Sequence, residues 1–110
     1  MKKNMTFAIA IDQFKNGTKD VTRRLGWWHL KPGDIISALE KRGDELNSLG
    51  FIEIVSTRAE PISAITLDDV RREGFPDYTA AQFVEMISTH YNVGPNHIIN
   101  RIEFKRCQNT

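Results

Sequence analysis

Apolar and polar positions alternate in short runs along this chain, and they predict a series of short strands interrupted late by two helices. Met5 to Ile11 is apolar and rich in β-formers at its start, so a first strand is expected to begin near Thr6. The Asp12 to Gly17 segment reads as a short helix that ends on Gly17, a residue suited to the left-handed position after a helix. Thr18 to Arg24 reads as extended, with Val21 flanked by polar residues. Leu30-Lys31-Pro32-Gly33-Asp34 is a turn, because proline presets φ and glycine accepts the positive φ that follows. Asp34 to Leu39 then reads as a buried strand, Glu40 to Leu49 as a long polar hairpin loop, and Gly50 to Arg58 as a further strand. In that strand Ile52 and Ile54 share one face, opposite Phe51, Glu53 and Val55.

Helix starts are marked more sharply. Thr66-Leu67-Asp68-Asp69 resembles a capping box with Asp in place of the preferred Glu or Gln, and Gly74 ends the short helix it opens. Thr79-Ala80-Ala81-Gln82 repeats the device with the preferred residue. The helix from Ala80 to about Tyr91 carries Ala80, Phe83, Val84, Ile87 and Tyr91 on one apolar stripe, with Met86 beside it as packing. Gly94-Pro95 closes this segment, and His97 to Lys105 reads as a last strand with Ile98, Asn100, Ile102 and Phe104 on one face. Helices and strands do not alternate regularly, so a parallel α/β fold is excluded. The expected class is α+β, with a small mixed or antiparallel sheet curled toward a barrel.

The composition narrows the setting. A chain of 110 residues is expected to form one domain over residues 1–110, and 40% apolar with 26% charged residues suits a folded, soluble protein. The net charge of +1 hides an uneven distribution. Met1 to Gly33 holds seven Lys or Arg against two Asp, whereas Asp34 to Phe75 holds five against nine acidic residues. A small basic face opposite an acidic one is one reading, ordinary solvated surface the other. Cys107 is the single cysteine, so no internal disulfide forms. No apolar run is long enough for a membrane span, and Met1-Lys2-Lys3-Asn4 is not followed by a signal-peptide core. A reducing, cytoplasmic setting without membrane association is expected.

Much chemistry is missing. His29, His90 and His97 have no metal-ligand spacing, and neither a metal nor a cofactor is expected. His90, at a helix end, takes a structural role by default. There is no Walker loop, dinucleotide fingerprint or GxSxG elbow. What stands out is Gly17 to Asp34, which puts Lys19, Thr22, Arg23 and Arg24 beside the tandem Trp27 and Trp28. A core avoids polar handles, and adjacent side chains point in different directions, so this stretch reads as a recognition or reaction loop.

The motifs Gly17-x-Lys19-x-x-Thr22-x-Arg24, Leu30-Lys31-x-Gly33-Asp34, Ile65-Thr66-x-x-Asp69-x-x-x-Glu73-Gly74-Phe75 and Arg101-Ile102-x-Phe104 together resemble an ASCH domain of the PUA-like superfamily. The resemblance covers nearly the whole chain, and TRRLGWW and EGFP are similar to small ASCH proteins often found in phages and prophages. It implies a small PUA-like β-barrel with two or three short flanking helices and a cleft for RNA or a modified nucleoside. One branch of that family hydrolyses N4-acetylcytidine with a lysine, a threonine and a glutamate. Lys19, Thr22 and Glu73 match those positions, while Asp20, Trp27-Trp28 and the Glu40–Leu49 segment depart from that branch.

Two functions follow from the resemblance. In an amidohydrolase, Thr22 is the nucleophile, Lys19 the base and Glu73 the acid/base. Threonine needs such a base, and lysine serves only with a lowered pKa, which Arg23 and Arg24 as neighbouring cations and Trp27 or Trp28 as apolar cover would supply. In a non-catalytic RNA- or nucleotide-binding module, Arg23, Arg24, Lys19 and Lys31 contact phosphates and Trp27 or Trp28 stacks on a base. A ribonuclease using Glu73 as base lies between the two.

Overall fold

A computed structural model describes residues 4–107; Met1 to Lys3, on which the signal-peptide reading partly rests, lie outside them. Five strands form one mixed sheet: β1 (Asn4–Phe7), β2 (Val21–Arg24), β3 (Ile35–Arg42), β4 (Glu45–Pro61) and β5 (Ile98–Arg106). Their spatial order is β1-β3-β4-β5-β2, antiparallel except for the parallel β1–β3 pair. The sheet curls into a half-barrel. Its two edge strands approach each other closely enough for Arg24 of β2 to donate from Nη1 to the Thr6 carbonyl of β1, 2.7 Å away. Helix α1 (Ile11–Asn16) links the edges, and α2 (Leu67–Arg72) and α3 (Ala80–Tyr91) lie between β4 and β5 in the chain.

The caps act as the sequence indicates. Gly17 follows α1 with φ 86°, and its N–H reaches back to the helix's last turns. Thr79 and Gln82 form the full reciprocal box at the start of α3. At α2 only half a box forms: Thr66 accepts from the Asp69 N–H at 3.2 Å, but the Asp69 carboxylate turns away to two arginines.

One expected element is corrected. Glu40 to Leu49 is not a long loop: β3 runs to Arg42 and β4 starts at Glu45, leaving a tight turn at Gly43-Asp44. Gly43, at φ 57°, occupies the first central position, where a positive φ favours glycine. Residues 41–48 are all exposed, so this extension satisfies its backbone with a ladder yet buries neither face. A register shift at Ala38/Leu39, beside Gly50 at φ 94°, bends the hairpin where it leaves the core.

Strand β5 divides two cores, because its faces alternate and both are covered. Ile102 and Phe104 join Phe7, Phe14, Ile36 and Ile54 inside the curl, where the Phe7, Phe14 and Phe104 rings pack at centroid distances of 4.8–5.9 Å. Ile99 joins Ile62, Val70, Phe83 and Ile87 under α2 and α3. Gly74 locks α2 onto α1. Its φ is 103°, and an added Cβ would stand 2.8 Å from Gln13 Cβ. Gly74→Ala is therefore expected to lower stability by roughly 1–3 kcal/mol in urea denaturation; an unchanged midpoint would show that α1 yields without cost.

Candidate functional site

The open seam between β1 and β2 is a pocket of about 250 Å³. One wall comes from Thr6 to Ile9, the other from Lys19 and Thr22 to Arg24; Glu73 lies at the end of α2, and Met86, His90 and Tyr91 close the pocket from α3. Lys41, on the β3–β4 hairpin, also lines it. Pockets for drug-sized ligands run to roughly 300–1,000 Å³, so this one suits a base-sized group rather than a strand.

Strand pairing explains which side chains arrive there. Residues directly opposite in an antiparallel pair share a face, and the register sets Thr22 against Ile102, Arg23 against Arg101 and Arg24 against Asn100. Thr22 and Arg24 therefore share one side of β2, and Arg23 takes the other. Lys19 precedes the strand and is 5% exposed. Its Nζ donates to Glu73 Oε1 at 2.8 Å, to the Val21 carbonyl at 2.8 Å and to the Glu73 carbonyl at 3.0 Å. Glu73, 3% exposed, accepts at its other oxygen from Arg23 Nη1 at 3.0 Å. Thr22 Oγ1 accepts from Arg24 Nε at 3.0 Å. The Tyr91 hydroxyl donates to the Arg23 carbonyl at 2.9 Å, tying α3 to the same strand.

Burial pushes the Lys19 amine below the ordinary lysine value; Glu73 opposes this by attraction and hydrogen bonding, and Arg24 and Arg23 push further down. The cover does not come from the tryptophans. Because Arg23 holds Glu73 independently, Lys19 can release its proton without leaving a buried carboxylate unpaired.

Lys19, Thr22, Glu73, Arg23 and Arg24 thus converge on one pocket, while Trp27, Trp28 and Lys31 do not line it. Trp27 packs part-buried against the inner core with φ 60°, and Asn100 Nδ2 holds its carbonyl at 3.0 Å. Trp28 is 55% exposed on the same turn. Lys31 is exposed in the next turn, where its N–H donates to Asp34 Oδ2. Of the amino-terminal cations, Lys15 pairs with Glu40, Lys19 with Glu73, and Arg23 with Glu60, Asp69 and Glu73, all in the acidic middle of the chain, so these three do not add to a free basic face.

Sequence reasoning missed Tyr91, His90 and Lys41 as pocket residues. In the sequence Tyr91 reads as part of the core stripe and Lys41 as part of a loop; only the hairpin's pairing brings Lys41 to the seam. Among the described residues no cluster of three or more His, Cys, Asp or Glu forms a metal-binding group, and no helix is long and apolar enough to cross a membrane.

No family model matches the chain, and no curated protein matches it in sequence. Solved structures do match in shape. Protein EF3133 from Enterococcus faecalis V583, of family-model DUF984, is 15% identical with a TM-score of 0.72, over 97% of this chain and 77% of that one. An ASCH domain from Lactobacillus crispatus JV V101 is 15% identical with a TM-score of 0.71, over 94% and 79%. Hypothetical protein PH0355 is 16% identical with a TM-score of 0.69, over 97% and 100%. The likeness establishes an ASCH-like fold, a small α+β half-barrel.

Proposed function

We propose that the seam pocket binds an N-acylated nucleoside and hydrolyses its amide, as in N4-acetylcytidine. The observation that carries this reading is the convergence of Lys19, Thr22 and Glu73, with the lysine buried and paired at 2.8 Å. The neutral Lys19 amine takes the Thr22 proton as Oγ1 attacks the acyl carbonyl. Arg24 Nε, already on that oxygen, orients it and favours its alkoxide character as the proton leaves. The C–N bond breaks as the proton passes through Lys19 and Glu73 to the leaving nitrogen. Water then hydrolyses the acyl ester on Thr22, releasing acetate and restoring the hydroxyl.

The test is acetate release from N4-acetylcytidine by pure protein, expected to fall at least ~100-fold in Thr22→Val. No release by the unaltered protein sinks the catalytic reading. A second reading, a non-catalytic nucleoside- or RNA-binding module, is favoured by one observation. All three Lys19 N–H groups have acceptors within the protein, as in a settled ammonium. Binding of N4-acetylcytidine without acetate release would select it.

A further inference from the structure

The charges around the seam do not balance. Lys19 and Arg23 share Glu73, and Arg23 also meets Glu60 and Asp69. Arg24 and Lys41 line the same pocket, and among the described residues neither has a carboxylate within ion-pair distance. The hydrogen-bond partners of Arg24 are neutral, the Thr22 hydroxyl and the Thr6 carbonyl, and its guanidinium lies 4.7 Å from the Phe7 ring centroid. These contacts fix the group across the seam without neutralising it. Burial depresses its pKa, with Tyr91 and Glu73 only partly opposing. A half-buried cation held rigid without a counter-ion is costly unless a ligand brings the anion. Lys41 sits exposed at the rim on the hairpin, a mobile point charge of the kind that suits phosphate.

We propose that the ligand of this pocket carries an oxyanion, received by Arg24 in the seam and Lys41 at the rim. This rests on the nucleoside reading for the rest of the ligand. The anion has two sources, a phosphate on the sugar or a carboxylate on the acyl side, and the phosphate makes the substrate a nucleotide instead of a free nucleoside.

Calorimetric titration of the full chain at low salt, with cytidine 5′-monophosphate, cytidine, inorganic phosphate and acetate, separates these. The monophosphate is expected to bind at least roughly tenfold tighter than cytidine, with the advantage shrinking as salt rises. Lys41→Glu, on an exposed hairpin, is expected to remove most of that advantage while leaving cytidine binding in place. Equal affinities for the monophosphate and cytidine with no Lys41-dependent binding of acetate, or an advantage untouched by Lys41→Glu, would overturn the proposal. Phosphate binding that Lys41→Glu abolishes, with no cytidine binding, keeps the anion site and sinks the nucleoside reading. Acetate bound as tightly as phosphate, and equally sensitive to Lys41→Glu, supports the carboxylate source. The readout is binding, so absence of acetate release does not touch it.

Discussion

Replacing Lys19 with methionine is expected to cut acetate release from N4-acetylcytidine by roughly a thousandfold while leaving the protein folded. The chemical loss is large because the amine is the base proposed to free the Thr22 hydroxyl, and threonine is inert without one. The structural loss is small for a reason visible in the pocket: Glu73 keeps Arg23 at 3.0 Å when the lysine is gone. Lys19→Arg makes the test specific. Arginine keeps the charge but holds its proton at every working pH, so a base requires the arginine variant to be as inactive as methionine. Substantial activity in Lys19→Arg would show that only the charge matters, and the lysine would become an anchor.

The pH dependence follows from the same residue. Burial lowers the folded pKa of Lys19 below its unfolded value of 10.5, with Glu73 opposing. Between the two values the unfolded chain binds more protons, so stability contributed by this group rises with pH across that window. Activity rises with pH through the folded pKa, as the neutral amine accumulates. Lys19→Met is expected to remove both trends.

How much of this was legible in the sequence depends on the residue. Gly17, Thr79 and Gln82 state their caps through local chemistry, and local chemistry survives tertiary packing. Lys19, Thr22 and Glu73 were legible only together and only through a resemblance; nothing in their spacing shows that a lysine ahead of β2 reaches a glutamate after α2, 54 positions away. The β3–β4 extension was invisible because periodicity reports a buried face, and residues 41–48 have none. The tryptophans misdirected attention for the opposite reason. Their residue type promises stacking, but their direction is set by a turn with Trp27 in a left-handed conformation, which Asn100 of β5 holds. Arg23 and Arg24 look alike in sequence, yet alternation along β2 sends one into an ion-pair cluster and the other across the seam.

That cluster carries the largest expected stability effect. Asp69→Ala is expected to cost about 3–5 kcal/mol, the loss typical of removing one partner from a buried pair. Arg23 and Arg101 stand directly opposite each other on β2 and β5, a like-charge arrangement that opposes strand pairing by itself. Asp69 resolves it. Its Oδ2 accepts from Arg23 Nη2 and Arg101 Nε at 2.7 Å each, and its Oδ1 accepts from Arg101 Nη2 at 3.0 Å. The hydrogen bonds from Arg101 hold the carboxyl far below the aspartate range, burial opposes them, and Arg23 adds to the depression. A depressed carboxylate contributes stability above its unfolded pKa and loses it as pH falls through the folded value, so unfolding should ease below roughly pH 4. Asp69→Asn is expected to flatten that acid limb while retaining part of the hydrogen bonding. In urea denaturation, Arg101→Met on the Asp69→Ala background should recover part of the loss, because it removes one of the two facing guanidinium groups. A double variant less stable than Asp69→Ala alone would mean that Arg101 contributes packing beyond its charge, and a loss below about 1 kcal/mol for Asp69→Ala would place the cluster with solvent-screened pairs.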